Sequence, residues 1–243
     1  MKTFTSIALT LLLASTVIAA ALGFDSAVQD HRFIQYIVDP KQHNIRLYWK
    51  NDQGEKFKNI GGLKSWMEGR NETLVFAMNA GMFTGDFSPL GLYVENGNWI
   101  TPLDTSGGTG NFYLKPNGVF YVSDDNTAGV CTTEDFVPST DIAFATQSGP
   151  MLLINGAIHP AFRKGSTNLN IRNGVGILPD NRVVFVISRE KVNFYDFASY
   201  FSSLGCRNAL YLDGAISKAY CPEHNWEQLD GKLGVIVGVT NRQ

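Results

Sequence analysis

Several stretches of the chain set polar or charged side chains beside glycine in ways that suit chemistry. Asp213 follows the apolar residues 209–212 and precedes Gly214, so a carboxylate sits among rigid neighbours at the end of a buried strand. That placement suits a catalytic acid, base or nucleophile, and Asp-Gly is equally the chemistry of a hairpin turn. Arg172-Asn173-Gly174-Val175-Gly176 puts a permanent charge next to a glycine-rich backbone. It reads either as a phosphate or carboxylate site or as an exposed arginine beside an Asn-Gly turn. Gln147-Ser148-Gly149-Pro150 either presents a hydroxyl and open backbone N–H groups or turns the chain. It is no nucleophile elbow, because Thr146 replaces the first glycine of that motif. Asn79-Ala80-Gly81-Met82-Phe83 puts an amide where an apolar strand meets a loop, or forms a turn with an aromatic plug. Gly107-Gly108-Thr109-Gly110-Asn111 lacks the lysine and spaced glycine of nucleotide loops and reads as a surface loop.

The other reactive side chains form no recognisable set. His31, His43, His159 and His224 stand in no catalytic motif, and Asp196 is explained as a helix-capping carboxylate. Cys206 and Cys221 bracket the segment that contains Asp213 and are the preferred disulfide pair, with Cys131 left over; three buried free thiols is the alternative. Cys206, Cys221 and His224 lack a C-x-x-C or H-E-x-x-H arrangement, so no metal site and no cofactor are expected.

These residues need a frame to aim them, and the composition indicates a sheet. Of 243 residues, 44% are hydrophobic and 17% charged, which supplies a core and excludes disorder. Twenty basic residues against 22 acidic ones leave no surplus for a nucleic-acid backbone. The 24 glycines and 19 asparagines point to many turns. Short apolar runs at 32–38, 45–49, 74–78, 90–95, 119–122, 151–154, 183–187, 209–212 and 235–239 have strand length. The dipeptides Asn96-Gly97, Asn117-Gly118, Asn155-Gly156 and Asn173-Gly174 suit tight hairpins, so most pairing is expected to be antiparallel. Phe194, Phe197, Ala198, Phe201 and Leu204 predict a helix capped by Asn193 and closed by Gly205, and a weaker helix is expected over residues 63–68. The expected class is α+β: one sheet-rich domain of mixed, mostly antiparallel strands with one or two packed helices.

The N-terminus carries Lys2 and an apolar run over residues 7–22 that ends in Ala19-Ala20-Ala21. The run is shorter than the ~20 residues of a spanning helix, and small residues lie where a signal peptidase cuts. Residues 1–21 are therefore expected to be a cleaved signal peptide and 22–243 the mature, periplasmic or secreted domain, with no stable membrane insertion and no nucleic-acid partner.

Taken in order, the motifs resemble the phosphodiester glycosidase family over roughly residues 74–239. The stretches Asn111-Phe112-Tyr113-Leu114-Lys115-Pro116-Asn117-Gly118 and Gln147-Ser148-Gly149-Pro150-Met151 are similar to its exported bacterial members. The family's Asn-Gly-Gly-Phe-Phe segment falls on residues 79–83, with Ala80 and Met82 substituted. Its Leu-Asp-Gly-Gly-Gly-Ser segment falls on residues 212–217, with Ala215 and Ile216 in place of glycine.

The resemblance implies an exported hydrolase that cleaves a sugar 1-phosphodiester at the anomeric carbon and releases free sugar and a phosphomonoester. Asp213 is the expected catalytic carboxylate. Arg172 and the backbone at Ser148 and Gly149 would bind phosphate, Asn79 and Ser217 would hydrogen-bond substrate oxygens, and Phe83 would stack on a ring. Gly81 and Gly214 complete the expected substrate-binding set, and Asp86 or Glu190 would be any second carboxylate. The alternatives are a phosphodiesterase or esterase with Ser148 or Ser217 as nucleophile, and a non-catalytic module that binds an envelope glycan.

Overall fold

The computed structural model describes residues 30–213 and 216–242. The expected signal peptide and its cleavage site lie outside the described residues, as does Gly214. The chain runs through strands β1 (Phe33–Val38) and β2 (His43–Tyr48), helix α1 (Ile60–Glu68), and strands β3 (Leu74–Asn79), β4 (Tyr93–Glu95) and β5 (Asn98–Thr101). It continues through β6 (Gly118–Ser123), β7 (Ala128–Thr132), β8 (Ile142–Ser148), β9 (Met151–Ile154), β10 (Ala157–Ile158), β11 (Asn173–Ile177) and β12 (Val183–Ser188). Helix α2 (Phe194–Ser203) then leads into β13 (Ala209–Tyr211), β14 (Ala219–Cys221), β15 (Trp226–Glu227) and β16 (Ile236–Asn241).

The strands form three sheets in the orders β1-β12-β11-β13-β9-β10, β15-β14-β3-β16-β2 and β5-β4-β8-β6-β7. Pairing among the described strands is antiparallel throughout. This is the expected α+β, sheet-rich class. All three sheets face one core, where Phe185 and Leu210 of the first meet Leu47, Phe76 and Val237 of the second and Tyr93 and Phe120 of the third. Each helix covers the outer face of one sheet. Phe197 and Phe201 of α2 pack on Val184, Val186 and Leu152, while Ile60, Leu63 and Met67 of α1 pack on Leu74, Ala77 and Ile236. Strand β12 is therefore buried on both faces, which is why its sequence is an unbroken apolar run instead of an alternating one.

Helix α2 forms as the sequence predicts, with the Asn193 side chain accepting from the Asp196 N–H at 2.8 Å and Gly205 at φ +82° closing the end. Helix α1 begins earlier than residue 63, because Asn59 caps it by accepting from Gly62 N–H at 2.7 Å. Of the four Asn-Gly dipeptides, Asn96-Gly97 and Asn155-Gly156 turn hairpins with both residues at positive φ. Asn173-Gly174 instead lies inside β11, where a Cβ on Gly174 would stand 2.8 Å from the Leu210 carbonyl oxygen. Asn117-Gly118 likewise enters β6 directly, with the buried Asn117 amide donating to the Phe112 carbonyl at 2.9 Å.

The expected disulfide does not form. Cys131, Cys206 and Cys221 are all free thiols. Cys206 packs between α2 and the first sheet, whereas Cys221 ends β14 in the second, so the fold sends the two side chains into different hydrophobic clusters. Among the described residues no helix is long and apolar enough to cross a membrane.

Candidate functional site

Besides the short β1–β2 link, which passes from the first sheet to the second, three connections carry the chain from sheet to sheet. The link from β3 to β4 runs from the second sheet to the third, β8 to β9 from the third to the first, and β13 to β14 from the first to the second. Each carries one of the motifs singled out above: residues 79–83, residues 147–150 and residues 212–217. Asp213 is consequently not a hairpin-turn residue, since β13 and β14 do not pair.

The three crossovers close on one another. The Asp213 N–H donates to the Ala80 carbonyl at 3.0 Å, and the Tyr211 N–H donates to the Pro150 carbonyl at 3.1 Å. Gly81 seats directly on Thr146 and Gln147, where a Cβ would lie 2.7 Å from the Gln147 carbonyl oxygen. Gly149 is confined in the same way, with its absent Cβ facing the Phe112 carbonyl at 2.9 Å. Both glycines are thus required by close backbone packing within the chain.

Asn79 is the junction. Its Nδ2 donates to the Asp213 carbonyl at 2.6 Å and its Oδ1 accepts from Lys218 N–H at 2.8 Å, so one buried amide grips both ends of the Asp213 loop. Its own carbonyl accepts from Asn173 Nδ2 at 2.8 Å. Asn173 Oδ1 in turn lies 3.2 Å from Ser217 Oγ, which is also 3.2 Å from the Ile171 carbonyl. Asp213, Asn79 and Ser217 therefore come together, and Asn173 joins them. Asn173 is concealed in sequence because Asn-Gly signals a turn. Asp213 is only 6% exposed, held where a rigid strand ends.

Arg172 lies one residue away and is fully buried. Its Nε donates to the Val192 carbonyl at 2.8 Å, one terminal nitrogen reaches the Tyr211 hydroxyl at 3.2 Å, and the other bonds the Asn168 carbonyl and Oδ1, each at 2.9 Å. The guanidinium also lies 3.6 Å above the Phe194 ring. Burial draws its pKa below the ordinary arginine value, against the pull of the Tyr211 phenol. Burial pushes Tyr211 up to about 12, with Arg172 opposing and the nearby Asp213 charge adding to the shift. The buried Arg172–Tyr211 pair thus lies beneath the strand that leads to Asp213.

Gln147 fastens the end of β8, where the second of these crossovers starts. Its buried side chain accepts from the N–H groups of Leu92 and Asp104 at 3.0 and 2.9 Å and donates to the Asp104 carbonyl and Thr133 hydroxyl at 2.7 and 3.1 Å. This pins the start of the loop that carries the exposed glycines 107, 108 and 110. Ser148 is fully buried, and its hydroxyl has no hydrogen-bond partner. Phe83 is half-buried over Gly234 and stacks on Phe87 with ring centres 5.5 Å apart. Asp86 is exposed and paired with Lys56 at 3.2 Å, and Glu190 is exposed in the turn after β12. A polar cavity of about 720 Å³ lined by Asn44, Arg46, Arg70 and Thr240 lies toward the other end of β3, since Thr240 pairs with Leu74 and Ile236 with Asn79.

Residues 72–238 match the phosphodiester glycosidase family. The chain belongs to that family. An uncharacterized protein of Escherichia coli (strain K12), YigE, is 40% identical over 186 residues, which cover 76% of this chain and 72% of that one. The fold is shared with the zebrafish N-acetylglucosamine-1-phosphodiester alpha-N-acetylglucosaminidase catalytic domain, auto-inhibited by its pro-peptide, at a TM-score of 0.59 and 13% identity over 88% of this chain and 85% of that one. It is also shared with a Burkholderia pseudomallei K96243 protein whose name calls it exported, at a TM-score of 0.55 and 11% identity over 85% and 73% of the two chains. At such identities these two likenesses concern the fold alone.

Proposed function

We propose that this chain is an exported glycosidase that hydrolyses a sugar 1-phosphodiester at the anomeric carbon. The observation that carries the reading is the closure of three crossovers around Asp213 in a chain of the phosphodiester glycosidase family. Water adds to the anomeric carbon, the bond from that carbon to the bridging oxygen breaks, and the phosphomonoester leaves with the oxygen and its electron pair. The proton shed by the water passes to the departing phosphate or to solvent. The leaving group already carries negative charge, so it needs little help from an acid. The developing positive charge on the sugar ring is what must be opposed, and the Asp213 carboxylate does this from a site of low dielectric. Asn79, Asn173 and Ser217 fix the loop that holds Asp213. Arg172 acts from beneath, through Tyr211 and Asn168, with its guanidinium engaged inside the protein.

A serine nucleophile has less support. Ser148 is buried without a hydrogen-bond partner, and the Ser217 hydroxyl faces a carbonyl and an amide oxygen, neither of them a general base.

The test uses residues 22–243, purified from an extracytoplasmic fraction and supplied with a panel of glycosyl phosphodiesters in oxygen-18 water. Reducing sugar carrying the label is expected. Label in the phosphate would move the reaction to the P–O bond, and binding of a glycan without turnover would make the protein a binding module. Export is tested by the mature N-terminus, expected near Leu22; recovery of Lys2 in the exported protein contradicts cleavage.

A further inference from the structure

At the far end of β14 from the Asp213 loop, Cys221, Glu223 and His224 bring a thiol, a carboxylate and an imidazole together, with their ligand atoms all within 4.8 Å of one another. We infer that these three residues form a binding site for a single zinc-like transition-metal dication. From sequence, Cys206, Cys221 and His224 are not expected to hold a metal; the fold separates Cys206 and sets Glu223 beside the other two.

The geometry comes from a tight hairpin. Cys221 pairs with Trp226 across β14 and β15, so the intervening residues are confined to a short loop. Pro222–His224 form one 3-10 turn there, and Asn225 at φ +51° closes it. Positions 221, 223 and 224 are thereby aimed at one point. Glu223 Oε1 lies 4.0 Å from Cys221 Sγ and 3.5 Å from His224 Nε2. Ligands about 2.0–2.3 Å from a tetrahedral zinc stand roughly 3.3–3.7 Å apart, so side-chain shifts of up to about 1 Å close the set.

A fourth donor is close. His224 Nε2 sits 3.1 Å from the carbonyl oxygen of Gln35, on β1, the edge strand of the first sheet. That carbonyl, or a water in its place, completes four-coordination. The donors also match the ion in charge and type. A thiolate and a carboxylate balance a dication, and sulfur with imidazole selects zinc or cobalt over magnesium or calcium. The ion would fasten the β14–β15 hairpin of the second sheet to β1 of the first.

The site is tested on reduced residues 22–243, stripped with a chelator and titrated with Co²⁺. One cobalt per chain is expected, with a thiolate-to-cobalt charge-transfer band that Zn²⁺ abolishes, and Zn²⁺ should raise Tm. Glu223 and His224 are exposed, so Glu223→Gln and His224→Gln should fold and keep Tm in the absence of metal. Each should weaken cobalt binding more than about 100-fold, because even the outer partners of a metal ligand cost about 10–100-fold. Cys221→Ser should remove the charge-transfer band. Failure to take up stoichiometric cobalt, uptake without a thiolate band, or uptake unchanged in both exposed variants would overturn the site.

Discussion

The Asn79 amide donates to the Asp213 carbonyl at 2.6 Å, joining two residues 134 positions apart. The same side chain accepts from Lys218 N–H, so it spans the loop that presents the carboxylate. Asn79→Ala removes both bonds and leaves a buried carbonyl and N–H unsatisfied, at a cost of about 2–4 kcal/mol. Urea denaturation should register that loss, and turnover should fall with it as the Asp213 loop loosens. A variant with wild-type stability would mean that the loop is held by something other than Asn79.

Asp213→Asn separates charge from shape. The backbone bonds to Ala80 and Asn79 do not depend on the carboxylate and survive the change. The urea midpoint should hardly move, while turnover of a glycosyl phosphodiester should drop roughly 10²–10³-fold through loss of charge stabilisation. Full activity in the Asp213→Asn variant would remove Asp213 from the catalytic role.

Arg172→Lys should act mainly on folding. A lysine keeps one charge but cannot reach Val192, Tyr211 and Asn168 together, nor stack on Phe194 as a plane. A buried cation left with unmet partners costs about 2–4 kcal/mol. An Arg172 that binds phosphate, as the family resemblance implies, would instead show weaker phosphate recognition with folding spared. Measurement of the urea midpoint beside KM distinguishes the two: an unchanged midpoint with a raised KM would return Arg172 to direct substrate contact.

Much of this was legible in sequence where one local rule governed. The α2 stripe and its Asn193 cap obey a single periodicity, and Asn96-Gly97 and Asn155-Gly156 turn as their backbone preferences dictate. What could not be read depended on partners far along the chain. Asn173-Gly174 has the same local chemistry as those turns but becomes a strand because Leu210 and Phe197 need close approach to its backbone. Asp213 looked equally like a hairpin residue until β13 and β14 fell in separate sheets. Cys206 and Cys221 are near in sequence, yet the crossover between them passes from the first sheet to the second.

Alkaline pH should destabilise the fold. Burial raises Cys206, Tyr36, Tyr48 and Tyr211 each to about 12, whereas in the unfolded chain a thiol titrates near 9 and a phenol near 10. Between those values the unfolded state sheds protons that the folded state keeps, so the stability is intact below about pH 9 and declines as pH rises toward 12. Denaturation midpoints measured in chelator should be level from pH 7 to about 8.5 and fall steeply above it. A flat profile to pH 11 would show that these groups titrate alike in both states.

The sharpest test of the crossover closure is a single methyl group. Gly81 has an ordinary backbone conformation, so Gly81→Ala meets no φ penalty, and its whole effect comes from what the Cβ touches. That atom would press into the Thr146 hydroxyl and stand 2.7 Å from the Gln147 carbonyl oxygen, and the carbonyl belongs to β8 and is not free to swing away. The segment must therefore lift from β8, carrying Ala80, the acceptor of the Asp213 N–H, with it. Overpacking of this kind costs about 1–3 kcal/mol. Gly85→Ala, four residues on in the same connection and with nothing within 4 Å of its Cβ, is the matched control and should be neutral. If the Gly81 variant matched it in both urea midpoint and turnover, the residue 79–83 segment would not be seated on β8, and the closure of the three crossovers around Asp213 would have to be abandoned.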